Sequence, residues 1–208
     1  MKPAISKIQI KKLKELYLEE GRSMIDISRY FNVSIDVVAY SMRKYNIPRR
    51  SLKEASKKSF ENKKPSFFKN KIGGVQKITS EIILAMLYWG EGFKGDVDSD
   101  YSSLDFANSD PGMIQLYIKM LRTLYKLDEK RLRVFLYCYS NQNQIELIKF
   151  WSKLTKIPKT QFTKPYIRNI VNKNNRVMKY GLVHIRYSDK KLLKEIKNLI
   201  DYVKVKYA

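Results

Sequence analysis

The chain of 208 residues carries 42 lysines and arginines against 20 acidic residues, a net charge of +22. Such an excess repels itself and calls for a polyanionic partner, nucleic acid first and a membrane surface second. The 44 % hydrophobic content excludes wholesale disorder, and a single cysteine (Cys138) with a single histidine (His184) excludes a disulfide or a cysteine zinc cluster. No apolar run approaches the roughly 20 residues of a membrane span, and Met1-Lys2-Pro3 does not open a signal peptide. The expected location is a reducing cytoplasm, at the nucleoid, with no membrane and no small-molecule substrate.

Residues 7–19 have the period of an amphipathic helix, with Ile8, Leu13, Leu16 and Tyr17 on one side. Gly21 is the expected C-cap. Ser23 caps a second short helix over 24–31, carried by Met24, Ile27, Ser28 and Phe31. Asn32 is a turn residue and Ser34 caps a third helix over 35–45, with Val38 and Met42 on one face. The string IDISRYFNVSIDVVAYSMRKYNIPRR resembles a helix-turn-helix of resolvase and sigma-factor type. That resemblance implies a DNA-binding domain over 1–50 whose third helix lies in the major groove. It offers Asp36, Tyr40, Ser41, Arg43 and Lys44 to the bases and phosphates. A three-helix bundle with a solvated basic face is the other reading. Arg49 and Arg50 follow Pro48; they enter a minor groove, track phosphates, or form a solvated turn.

Residues 51–77 read as a basic linker with Lys53, Lys57, Lys58, Lys63, Lys64, Lys69, Lys71 and Lys77 against Glu54 and Glu61. Residues 52–60 can prolong a helix; Pro65 and Gly73-Gly74 break any longer one. Lys63 and Lys64 lie along the phosphate backbone or belong to a flexible spacer with no defined DNA path, and the adjacent Phe67 and Phe68 are expected to dock on a domain.

From Thr79 the pattern changes, opening a second domain over 78–208. Thr79 or Ser80 caps an apolar helix, EIILAMLYWGEG, that should be buried all round. Its last turn carries Glu91, which opposes the helix dipole and suggests a neighbouring cation. Asp96, Asp98 and Asp100 read as a solvated loop. Residues 103–107 alternate as a strand; Asn108-Ser109-Asp110-Pro111 starts a helix over 111–125. Residues 131–139 form the clearest strand, with Arg131, Arg133, Phe135, Tyr137 and Tyr139 on one face. A helix over 142–155, a strand over 180–187 and a helix over 189–205 follow, with one more strand near 93–101 or 161–168. The domain is α+β.

Residues 84–92, LAMLYWGEG, resemble the LAGLIDADG motif of homing endonucleases. Leu84, Ala85, Leu87 and Gly92 match in type, Gly90 fills a small position and Glu91 matches the acidic residue; Met86 replaces a glycine and Trp89 an aspartate. The resemblance implies an αββαββα core with a saddle-shaped antiparallel sheet on the major groove, here with an additional helix at 142–155. It implies a homodimer through helix 80–91, packed by Leu84, Ala85, Leu87 and Gly90, on a pseudo-palindromic double-stranded DNA site. It also implies Mg²⁺ held by Glu91, with Lys94 or Arg186 stabilising the pentavalent phosphate. The sheet would read DNA through Arg131, Arg133, Lys164, Arg168, Arg176, His184 and Arg186, with Tyr166, Lys173 and Lys179 beside them. Phe135 and Leu136 are expected in the core. Retained Glu91 favours an endonuclease; Met86 and the absence of a second motif acid favour a non-cutting transcriptional regulator on the same core. An RNA-binding intron maturase is a third reading. One histidine cannot supply an HNH site, and no phosphate-binding GxxxxGK[ST] loop is present.

Overall fold

The computed structural model describes residues 5–95, 103–169 and 178–207. Asp96, Asp98, Asp100, Lys173 and Arg176 lie outside the described residues. The chain divides into two compact units, Met1–Lys64 and Pro65–Ala208.

The first unit is helical. Helix α1 (Gln9–Lys14) widens into a π turn over Glu15–Glu19, and Gly21 then takes φ +71°, as its place at a helix end requires. Ser23 accepts from Asp26 N–H and Asp26 reaches back to Ser23, a capping box that starts α2 (Met24–Tyr30). Asn32 adopts φ +51°, and Ser34 accepts from Val37 N–H to start α3 (Ile35–Lys44). Leu13, Leu16, Ile27, Val38 and Met42 are fully buried together. Ser51 and Glu54 form a second capping box for α4 (Leu52–Asn62), so the helix expected over 52–60 forms, as a separate element with its own cap.

The second unit begins with strand β1 (Phe67–Lys69), then α5 (Gly74–Glu91), β2 (Leu104–Asn108) and α6 (Pro111–Leu124). Short β3 (Tyr125–Leu127) pairs antiparallel with β1. Strand β4 (Leu132–Tyr139), α7 (Gln144–Thr155), β5 (Tyr166–Arg168), β6 (Leu182–Tyr187) and α8 (Lys190–Tyr207) complete the order. Phe67 docks edge-to-face on Tyr125 at 5.5 Å, but Phe68 stays 70 % exposed, because alternate residues of β1 face opposite ways.

Helix α5 starts five or six residues before the expected cap. Gly73, in extended backbone, occupies the N-cap position without a side-chain bond, and Ser80 is buried mid-helix. The glycine pair is a start signal here, not a break. The helix is also not buried all round. Leu84, Ala85 and Tyr88 face the core, whereas Met86 and Trp89 are 48 % and 41 % exposed. At its C-cap, Gly92 has no room for a side chain: a Cβ there would lie 2.5 Å from the Tyr88 carbonyl oxygen.

The larger sheet has the order β2-β6-β4-β5. The β2–β6 and β6–β4 pairs are antiparallel, but β5 runs parallel to β4, so the sheet is mixed rather than antiparallel throughout. One face, with Leu104, Phe106, Leu132, Val134, Leu136, Cys138, Val183, Ile185 and Tyr187, is buried in a single core with residues of α5, α6, α7 and α8. Fully buried Trp151 of α7 anchors that core and donates from Nε1 to the Tyr180 carbonyl at 2.8 Å. Asp110 and Asn143 cap α6 and α7 through their side-chain oxygens.

Candidate nucleic-acid interface

Helix α3 presents Asp36, Tyr40, Arg43 and Lys44 to solvent. Ser41 is buried instead, because positions 38, 41 and 42 share the inward face of one helix turn. Arg49 is exposed, but Arg50 is not a free cation. Its guanidinium donates to the carbonyls of Tyr17, Gly21 and Arg22 and lies 4.1 Å from the centre of the Tyr17 ring. Its own N–H donates to the Tyr17 hydroxyl at 3.0 Å. Arg50 therefore ties the segment after α3 to the end of the first helix. Lys63 and Lys64 are exposed.

On the larger sheet, the face opposite the core is polar and aromatic. Strand alternation and register put its side chains in rows. Asp105 pairs with Arg186, which pairs with Arg133; Ala107 pairs with His184, which pairs with Phe135. Leu182 pairs with Tyr137, which pairs with Tyr166; Tyr139 pairs with Arg168. Ring centres of Tyr137 lie 5.0 Å from His184 and 5.3 Å from Tyr166. Phe135 is on this face and half-buried, not in the core, with the Arg186 guanidinium 4.2 Å over its ring. Leu136, its neighbour, is buried as expected.

Arg133, Lys164 and Arg168 are exposed, while His184 and Arg186 are partly so. Arg131 does not join this face. It sits in a 3₁₀ turn before β4, where Asp128 at 3.4 Å and the Ser188 carbonyl at 3.1 Å hold it.

A residue that the strand pattern hid organises part of the face. Asp105 accepts from Arg186 Nε at 2.6 Å through one oxygen and meets His184 Nδ1 at 3.0 Å through the other. Its side chain is only 10 % exposed. Its backbone N–H donates to the Tyr88 hydroxyl at 3.3 Å, whose pKa burial pushes up to about 12, so that phenol stays neutral. In SLDFA the aspartate falls on the outward alternation and reads as solvated; its partners are 79 and 81 residues away.

Glu91 and Lys94 are exposed at the junction where α5 runs into β2. There Gly92 bridges Phe106, and Phe93 N–H donates to the Asp105 carbonyl at 2.9 Å. Among the described residues no three His, Cys, Asp or Glu side chains stand together as a ready metal site.

The expected dimer residues separate into two sets. Leu84 and Ala85 are buried in the unit's own core and Leu87 packs partly against it, so these three cannot form an outer seam. Gly90 faces open space. The outward stripe of α5 is instead Val75, Thr79, Met86 and Trp89, with Ile82, which packs partly on the core, between them and Phe93 just past its end. Their spacing alternates four and three, the average of 3.5 that a helix-pairing seam uses. No helix among the described residues is long and apolar enough to cross a membrane. No protein-family model, no curated protein and no solved structure matches the chain.

Proposed function

We propose that this protein is a double-stranded-DNA-binding protein that pairs with a second copy of itself through α5 and cleaves its pseudo-palindromic site with Mg²⁺. The observation that carries the binding is the sheet. One face is sealed in the core, and the other displays Arg133, Arg168, Arg186 and His184 among Phe135, Tyr137, Tyr139 and Tyr166. Cations for phosphates and flat side chains for base edges are what a groove-reading surface needs. Helix α3 supports it, capped by Ser34 and carrying Arg43 and Lys44 on its exposed side.

Pairing through the outward stripe of α5 makes the site two-fold symmetric. Met86→Asp puts a charge into that seam. It is expected to turn the dimer into a monomer in sedimentation, leaving the melting of the second unit close to wild type, since Met86 is half exposed. A wild type that is already monomeric at micromolar concentration contradicts the seam.

Glu91 fits as the one carboxylate each chain brings to Mg²⁺. It is exposed, it offers hard oxygens, and Mg²⁺ keeps most of its shell as water. When bound, the metal supplies charge neutralisation at the scissile phosphate and an activated water. The chain's own groups bind and orient: Arg186, fixed by Asp105 and Phe135, holds a backbone phosphate, and Lys94 stands beside Glu91 in sequence for the developing charge. The test is cleavage of a randomised duplex library with Mg²⁺ by wild type and by Glu91→Gln. Wild type should cut, and Glu91→Gln should keep affinity within about threefold while losing cleavage at least 10²-fold, in the range of other lost charge-stabilising groups.

A specific observation favours the second reading, a regulator that binds without cutting. Met86 and Trp89 stand outward where close helix pairing needs small side chains, and side chains of that size would keep two copies of α5 further apart. Site selection by both proteins with no cleavage by either decides for the regulator.

A further inference from the structure

We infer that Asp105, His184 and Arg186 form a preorganised site for one backbone phosphodiester, in which Asp105 is the positioning residue. The inference rests on the DNA-binding reading and names how one phosphate is held.

The geometry is specific. A nearly buried carboxylate spends one oxygen on His184 Nδ1 and the other on Arg186 Nε. Among the described residues, that leaves the terminal guanidinium nitrogens as donors still to be satisfied, together with imidazole Nε2, which donates to an anion once the ring carries a second proton. The Phe135 ring at 4.2 Å fixes the plane of the guanidinium from one side, and the Tyr137 ring at 5.0 Å borders the imidazole. Arg133 is the direct cross-strand neighbour of Arg186, although its guanidinium donates to the carbonyls of Lys130 and Leu132 at 2.6 and 2.7 Å; the guanidinium and the imidazole that meet at Asp105 share this single acid. Two cations held side by side without a ligand would repel. Asp105 offsets that and pre-sets the fork, so less side-chain freedom is lost when an anion arrives. Asp105 itself is too enclosed to touch DNA.

The sign of one substitution separates positioning from plain charge. Asp105→Asn removes a negative charge from a DNA-facing surface. If Asp105 only contributed charge, binding would tighten. If it positions His184 and Arg186, binding should weaken about tenfold and the salt slope should fall in magnitude by about one. Asp105→Glu should recover part of the loss.

His184 is the chain's one histidine, so a ¹⁵N-imidazole spectrum reports this site alone. In wild type, Nδ1 should carry the proton, and both inorganic phosphate and a short self-complementary duplex should shift Nε2. Asp105→Asn should abolish both responses. Unchanged affinity and slope in a folded Asp105→Asn, or an Nε2 signal that neither probe moves in wild type, overturns the inference. A response to inorganic phosphate but not to a duplex that the protein demonstrably binds also overturns it, because the site would then not take a backbone phosphodiester. If phosphate shifts Nε2 but no duplex is bound by any assay, the anion site stands and the DNA-binding reading fails.

Discussion

Raising the salt from about 50 to about 200 mM is expected to weaken duplex binding about 10⁴-fold. The figure follows from counting. Arg43, Lys44, Arg49, Lys63, Lys64, Arg133, Lys164, Arg168 and Arg186 are exposed or partly exposed and, among the described residues, carry no carboxylate clamp other than Asp105 on Arg186. If about eight of them each neutralise one phosphate, the log–log slope is roughly −7. Fluorescence anisotropy across a salt series reads it directly. A slope near zero would mean that the +22 charge serves some other purpose. A slope that stays near −7 after Arg133 and Arg186 are both changed to glutamine would remove the sheet from the interface and leave the helical unit.

Arg50→Ala is expected to destabilise the first unit by about 2–3 kcal/mol, and to do so without DNA. The substitution orphans the carbonyls of Tyr17, Gly21 and Arg22, which converge on one guanidinium, and it uncovers the Tyr17 ring. Lysine should not rescue it, since a single ammonium cannot span three acceptors in a plane. Amide hydrogen exchange is the suitable probe. Protection in α2 and α3 should drop about 30- to 150-fold, the factor that 2–3 kcal/mol corresponds to, while β4 and β6 keep theirs. Weaker DNA binding with unchanged protection would return Arg50 to the list of phosphate contacts.

These two residues, Arg50 and Asp105, mark where the sequence stops being readable. Local chemistry was legible. Ser23, Asn32 and Ser34 announce the turns of the first unit, and Asp110-Pro111 announces α6, because a cap is recognised from the residues within one turn of it. Strand alternation over 132–139 correctly separated Leu136 and Cys138 from Arg133 and Tyr137. What failed depended on partners remote in sequence. Arg50 looks like a free cation until three carbonyls from 17–22 are brought to it. Asp105 looks solvated until His184 and Arg186 arrive from another strand. Phe135 looks like core because its residue type outweighs its parity in the strand.

Two misses were avoidable. Ser41 lies at i+3 from Val38 and next to Met42, so its burial was implicit in the helical period. The 4-3-4-3 stripe from Val75 to Trp89 was visible too, but it begins ahead of Thr79, in residues set aside as linker. Gly73-Gly74 reads as a break, although glycine at an N-cap is among the accepted starts. The identity of the outward face of α5 changed accordingly, from Leu84 and Ala85 to Met86 and Trp89.

The central claim is that both units engage duplex DNA in a sequence-selective way. Selection from a randomised duplex library tests it, run in parallel on wild type, on a variant with Arg43 and Lys44 changed to alanine, and on a variant with Arg133 and Arg186 changed to glutamine. A two-fold symmetric site is expected for wild type, with a different, shorter portion of that site lost in each variant. A wild type that enriches no duplex sequence, or that prefers single-stranded RNA of any sequence over every duplex, would contradict it.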